Sequence, residues 1–260
     1  MIVEMRLRCA AALWRSHSSR AVFLIFTTNC LLSHHHTVHC AEISQASNAM
    51  PPPEEAPVVI VGGGPVGLVS SILLSLQHIP HILLERQPDT SIHPKAVGLN
   101  QRTVEVFRKI DVEGEVLRAG APPETICRTA WYTGLGPNGK EICSRSGWGG
   151  GEYQEIYKRA SPCRYANLAQ IRLEPILKRR AMELNPDGIF YSHEVERLEE
   201  KVDHVLVYYH EGKAISSQSS FGVRAQYVLG SDGGRFLADQ LGIAMAGESD
   251  IVDSMSNGFP

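Results

Sequence analysis

The tightest constraint on this chain is a cluster of glycines wedged between two apolar runs. Residues 57–61, Pro57-Val58-Val59-Ile60-Val61, form an uninterrupted apolar and β-branched stretch, the pattern of a parallel strand buried on both faces. It runs straight into Gly62-Gly63-Gly64-Pro65-Val66-Gly67. Gly62, Gly64 and Gly67 fit the spacing G-x-G-x-x-G. There the first glycine allows a tight turn, the second lets a pyrophosphate approach the backbone, and the third lets helix pack on strand. Pro65 suits the first turn of the helix that follows, because its missing N–H is not needed there and its φ is already set. Leu68, Val69, Ile72, Leu73 and Leu76 then recur at helical spacing, and Pro80 closes the segment. The helix N-terminus therefore faces the glycine loop, with its orphan N–H groups and its dipole favouring an anion.

A second apolar run, His81-Ile82-Leu83-Leu84, predicts the next strand and ends in Glu85. That acid lies roughly 20 residues beyond the first glycine, where a carboxylate accepts hydrogen bonds from an adenosine ribose and repels a 2′-phosphate. Arg86 beside it tempers the repulsion. Strand, loop, helix, strand and acid in this order predict an α/β fold that opens with a Rossmann-like unit. Gly62, Gly64, Pro65, Val66, Gly67, Glu85 and Arg86 are its candidate dinucleotide-binding residues. FAD and NAD present the same adenosine and pyrophosphate, so this pattern does not choose between them.

Composition narrows the partners. With 260 residues, 43% hydrophobic and 20% charged, the chain has room for one large domain or two small ones. A net charge of -3, from 25 basic and 28 acidic residues without a long basic run, excludes an electrostatic nucleic-acid binder. Cys9, Cys30, Cys40, Cys127, Cys143 and Cys163 are scattered, with no C-x-x-C pair. They read as free thiols of a reducing compartment, which points to the cytoplasm. Residues 1–50 stand apart. Arg6, Arg8, Arg15 and Arg20 precede the apolar stretch 21–26, and two readings stay open: a secretory or organellar targeting segment, or a disordered extension ahead of Met50. The stretch is too short and too interrupted to span a membrane. His34, His35, His36, His39 and Cys40 read as incidental, and no metal is assigned.

Three later stretches carry a family resemblance. His93-Pro94-Lys95-Ala96, followed by Asn100-Gln101-Arg102-Thr103-Val104-Glu105, resembles the class A flavin monooxygenases, especially the phenol-hydroxylase-like enzymes, whose pattern reads H-P-R-A and then N-x-R-T-x-E. The resemblance implies that Lys95 stands for the family's basic residue near the ribityl and phosphate groups of the flavin. Lysine keeps the charge of the usual arginine and loses its planar fork. From the residues alone the stretch predicts a loop and then an amphipathic helix burying Val104, Phe107 and Ile110. Ser161-Pro162-Cys163-Arg164-Tyr165-Ala166-Asn167-Leu168-Ala169-Gln170 resembles the segment in which a glutamine opens a helix beneath the cofactor, which implies a flavin contact for Gln170. The residues alone make Asn167 a candidate cap for a helix with Ile171, Leu173, Ile176, Leu177 and Ala181 on its apolar face. Lys178, Arg179 and Arg180 fall on its solvent face, and Arg164 and Arg172 read as surface charges. In the third stretch, residues 205–209 and 224–229 predict strands, and the second runs into Gly230-Ser231-Asp232-Gly233-Gly234 ahead of the helical Leu237 and Leu241. This resembles the family's Asp-Gly motif and implies cofactor contacts for Asp232 and Gly233, although Phe236 replaces the usual serine or threonine.

The resemblance implies a Rossmann-like FAD-binding domain with a parallel sheet, plus part of a mixed β-sheet substrate domain, over residues 51–260. It implies FAD as cofactor, NAD(P)H as electron donor, and O2 with an aromatic, phenolic substrate. A further Gly-Asp element of the family has no counterpart after Asp232, which implies a truncated form. A non-catalytic flavin-binding remnant and an FAD-dependent reductase stay open as alternatives. No catalytic base is named, since the cofactor carries the chemistry. Trp131, Trp148, Tyr153 and Tyr157 are candidates either for a substrate wall or for packing, and residues 147–151 read as a mobile loop.

Overall fold

The computed structural model describes residues 51–134, 136–212, 220–234, 236–244 and 246–247, with the backbone of 11–14 and 23–26. Strands β1 (Ala11–Trp14) and β2 (Phe23–Phe26) pair antiparallel, and the histidine run lies outside the described residues. Contacts divide the chain into two units, one of residues 1–90 and 181–260, the other of residues 91–180.

The first unit begins with β3 (Glu55–Val61), α1 (Pro65–Leu76) and β4 (His81–Glu85), the predicted strand, helix and strand. Val59, Ile60 and Leu83 are fully buried, as the unbroken apolar runs require of strands covered on both faces. Burying each such side chain stabilises the unit by about 1.5–3 kcal/mol.

The second unit opens with an irregular segment and the short β5 (Gly98–Leu99). Next comes α2 (Gln101–Lys109), capped by Asn100, whose Oδ1 accepts the Thr103 N–H at 2.8 Å. Helix α2 buries Val104 and Phe107, and Ile110 just beyond it is buried too. The chain continues through α3 (Glu113–Ala119), α4 (Pro123–Ile126), the hairpin of β6 (Arg128–Tyr132) and β7 (Glu141–Ser146), and α5 (Gln154–Ala160). Then β8 (Ala166–Asn167) pairs antiparallel with β5, and α6 (Gln170–Leu184) follows. Asn167 is therefore a strand residue opposite Gly98 and not the cap of α6. Pairing draws its backbone into a ladder three residues before the helix begins. On α6, Leu173, Ile176, Leu177 and Ala181 are buried as the spacing required, but Ile171 is exposed and Glu174 is buried in its place.

The chain returns to the first unit with β9 (Ile189–Tyr191), β10 (His193–Glu200), β11 (Val205–Glu211), β12 (Phe221–Gly230) and the short α7 (Phe236–Gln240). Among the described residues six strands form one sheet in the order β10-β11-β12-β3-β4-β9. Strands β12, β3, β4 and β9 run parallel, and β10, β11 and β12 form an antiparallel meander. A bulge interrupts β10 between Val195 and Arg197. The sheet core gathers Val59, Val61, Ile82, Leu84, Val207, Val223, Val228 and Leu237. No described helix is long and apolar enough to cross a membrane.

A buried polar knot ties α1 to the start of β4. Ser71 is fully buried, and its Oγ lies 2.8 Å from His81 Nε2. Asn185 Nδ2 reaches the same nitrogen at 3.1 Å and also donates to the His81 carbonyl at 3.1 Å. His81 Nδ1 lies 2.8 Å from the carbonyl oxygen of Ile79 and must donate to it. Nε2 is then the acceptor for Ser71 and Asn185, which is the neutral tautomer. Burial accordingly lowers the His81 pKa from 6.5, against a smaller opposing effect of the Ile79 carbonyl. A histidine depressed in the folded state gives stability that is complete above its unfolded pKa and lost as pH falls. The denaturation midpoint of the protein will therefore drop between about pH 7 and pH 5. In His81→Leu that slope will be shallower, as measured by urea titration at each pH.

Candidate functional site

Register builds the candidate site of the first unit. Val61 pairs with Gly230 on one side and with Leu84 on the other, so β12, β3 and β4 end side by side. Two further ladder bonds carry the pairing into the turns. Gly62 N–H donates to Leu84 O and Ser231 N–H to Val61 O, both at 2.8 Å. The turns after β12 and β3 hold Asp232 and the glycine loop, and Glu85 closes β4 at the same edge. Ligands of open parallel sheets bind at this carboxyl edge.

The glycines occupy places of opposite kinds. At Gly62, with φ of +107°, an added Cβ would lie 2.5 Å from Ser231 O and 2.9 Å from Asp232 N. At Gly67 it would lie 1.9 Å from Gly62 O. Both positions are closed by the protein's own backbone. Gly64 differs, because nothing lies within 4 Å of an added Cβ, and its φ of -73° and ψ of -175° suit any residue. The open space at Gly64 fronts the N-terminus of α1, where Pro65 takes the first position and Val66 and Gly67 follow. Gly63, an unspecified position in the motif, is also constrained, since a Cβ there would lie 2.8 Å from Glu85 Cβ. The spacing rule carries no sign of that contact.

Glu85 is half-buried at the end of β4. Its Oε2 accepts the Gly63 N–H at 2.6 Å and its Oε1 the Gln87 N–H at 2.7 Å. The expected ribose ligand thus also pins the glycine loop. Each oxygen keeps a further lone pair for a hydroxyl donor. Arg86 is exposed. Asp232 caps α7, with Oδ1 accepting from Gly234 N–H and Oδ2 from Leu237 N–H, both at 3.0 Å. Gly233 is exposed at φ +81° with open space around it.

In the second unit the structure joins the other two candidates. The Gln170 N–H is shared between Pro94 O and Ala96 O, at 2.9 Å each. Lys95, between those carbonyls, is exposed with φ of +43°. Gln170 Nε2 donates to Glu174 Oε1 at 2.5 Å, and Glu174 Oε2 accepts the Ser91 N–H at 2.5 Å. Glu174 is 3% exposed, and its bond to Gln170 is not among the features expected from the sequence. The signal for it was the four-residue spacing from Gln170, which sets the two side chains on one helix face. Arg164 and Arg172 are exposed, as expected of surface charges.

The aromatic candidates separate. Trp148 meets Tyr165 edge-on at 4.8 Å, and Tyr157 lies where a Cβ on Gly149 would approach its ring to 2.8 Å. Trp131 and Tyr153 are exposed. Residues 147–151 are a packed turn and not an open loop, because a Cβ on Gly150 would lie 2.1 Å from Cys127 Cβ, and one on Gly151 would lie 2.1 Å from Ser146 Oγ. Burial pushes the Tyr165 phenol up to about 12, so it stays neutral. Among the described residues no cluster of histidine, cysteine and acidic side chains could hold a metal ion.

Comparison with known proteins identifies this arrangement. The model of a family described as FAD binding domain matches residues 55–259. The chain belongs to that family. The FAD-binding assignment settles the choice that the glycine motif left open. The chain is 35% identical over 206 residues to 4-methyl-5-nitrocatechol 5-monooxygenase of a Burkholderia species, covering 76% of this chain and 35% of that protein. It is 31% identical over 176 residues to phenol 2-monooxygenase of a Pseudomonas species, covering 67% of this chain and 28% of that protein. A solved structure of the flavin-dependent monooxygenase PieE with FAD and substrate superposes with a TM-score of 0.71 at 32% identity, over 77% of this chain and 34% of that one. The chain spans about a third of the length of the curated relatives it matches. These matches bear out the resemblance to class A flavin monooxygenases.

In this FAD-binding domain the two kinds of glycine predict two kinds of defect. Gly64→Ala will leave the thermal midpoint unchanged and weaken FAD at least tenfold, because its methyl enters space that the protein leaves open. Gly67→Ala will destabilise the fold by about 1–3 kcal/mol through backbone overlap. Thermal melts and quenching of flavin fluorescence separate the two.

Proposed function

We propose that this chain serves the FAD-dependent hydroxylation of an aromatic, phenolic small molecule, with NAD(P)H as reductant and O2 as oxidant. The observation that carries the proposal is the carboxyl edge of the sheet, closed at Gly62 and Gly67 and open at Gly64. The two named relatives are monooxygenases of a nitrocatechol and of phenol, which supports the substrate class. When bound, FAD supplies electron transfer from the nicotinamide and activation of O2.

The chain's own residues bind and orient. Val66 and Gly67 N–H groups at the start of α1 face the pyrophosphate, and Glu85 accepts from the adenosine ribose. Asp232 and Gly233 border the same edge of the first unit. In the second unit Lys95 offers positive charge to a phosphate, and Gln170 offers an amide to the flavin. We read the region of residues 91–180 as the start of the substrate domain and assign no catalytic base in it. A reducing compartment suits the free thiols of Cys127, Cys143 and Cys163.

The test uses the full chain with added FAD. Quenching of flavin fluorescence with a saturable midpoint, and NAD(P)H oxidation coupled to formation of a hydroxylated phenol under air, are the expected results. No quenching would sink the flavin assignment. Bound flavin without NAD(P)H consumption would leave a flavin-binding role alone, and turnover that continues without O2 would make the protein a reductase.

A further inference from the structure

The side chain of a glutamine can offer a ligand either its carbonyl oxygen or its amino group, which differ in hydrogen-bonding sense. In Gln170 one neighbour makes the choice. Nε2 lies 2.5 Å from Glu174 Oε1, and an ionised carboxylate only accepts, so the nitrogen end must face it. Oε1 is then the free end of the amide. Glu174 is itself held. It lies one turn further along α6, it is buried to 3% exposure, and its other oxygen accepts the Ser91 N–H at 2.5 Å. The Gln170 backbone is anchored separately, through its N–H to the Pro94 and Ala96 carbonyls. The backbone, one side-chain N–H and the carboxylate beyond it are therefore all fixed, and among the described residues nothing donates to Oε1 of half-buried Gln170, while the second Nε2 hydrogen stays on the end of the amide that Glu174 holds.

We propose that Glu174 is a positioning residue that sets the polarity of Gln170, so that Gln170 meets the cofactor as an acceptor through Oε1. The cofactor atom it meets is then an N–H or O–H donor, either the ring N–H of the isoalloxazine or a ribityl hydroxyl. This rests on the FAD reading given above. It also explains why an acid is buried on the apolar face of α6, where its bonds among the described residues come from the Ser91 N–H and the Gln170 amide. In Glu174→Gln, the new amide has one acceptor for two donors, Ser91 N–H and Gln170 Nε2, so Gln170 is free to turn its amino group outward.

Two measurements on the full chain test it. In the flavin-free protein labelled with nitrogen-15, the side-chain amide of Gln170, assigned by its loss in Gln170→Leu, will show one proton shifted downfield and slow to exchange. That protection will vanish in Glu174→Gln. An amide in the unaltered protein that exchanges as fast as a surface glutamine overturns the proposal, whether or not flavin binds. In FAD titrations Glu174→Gln and Gln170→Leu will each raise Kd by about tenfold, the worth of one hydrogen bond, and the double variant will lose no more than either alone. Losses that add in the double variant would show that Glu174 merely supports the fold and overturn its positioning role. Gln170→Leu, at a half-buried site, stands in if Glu174→Gln melts early. FAD methylated at the ring N–H separates the two donors, because it is insensitive to Gln170→Leu only if that N–H is the partner. Absence of any FAD binding by the unaltered protein would instead refute the flavin reading, and the amide measurement would still decide the polarity of Gln170.

Discussion

The rest of the first unit depends on one register, in which Val61 lies level with both Gly230 and Leu84. Parallel pairing at that level makes three strands stop together, so the turns that follow them share one edge. A side chain at Gly62 would collide with the Ser231 carbonyl at 2.5 Å, so the glycine there is required by the neighbouring strand as well as by its own φ. A shift of β12 by one residue would send its inward side chains to the other face. It would also move Asp232 away from the loop. The sheet and its carboxyl edge are thus a single constraint, set by side chains such as Val59, Val223 and Val228 that pack in one core.

The two acids at this edge are both held by the protein's own backbone. Glu85 spends one lone pair on each oxygen to hold Gly63 and Gln87. Asp232 does the same with Gly234 and Leu237. Such bonds fix the carboxylates in place, so in the proposed site little side-chain entropy would remain to be lost on accepting a hydroxyl.

Local periodicity made most of the first unit legible. The apolar run into Gly62, the helix after Pro65 and the strand ending at Glu85 each depend on neighbours within a few residues, and each was found where it was read. What escaped reading depends on distant partners. Asn167 has the chemistry of a helix cap, yet it pairs with Gly98, which no local rule announces. Gly63 looks like filler until Glu85 is folded beside it. Glu174 breaks an apolar stripe that the residues alone filled with Ile171. Its burial becomes intelligible only when Ser91, far earlier in the chain, supplies an N–H. The glycines of residues 147–151 suggested freedom, whereas contact with Cys127, Tyr157 and Ser146 gives them a packing role.

The second unit uses the same economy around Lys95. A lysine at φ +43° lies in the left-handed region, which costs a residue with a Cβ about 1–2 kcal/mol. The carbonyls on either side of it, Pro94 and Ala96, converge on the Gln170 N–H. At the start of a helix that N–H has no partner within α6, so the loop and the helix terminus satisfy one another. The strained lysine is therefore a consequence of curling the chain tightly enough to bring both carbonyls to one donor. Once curled, the loop leaves Lys95 exposed and holds the backbone of Gln170 at the start of α6 through two carbonyls.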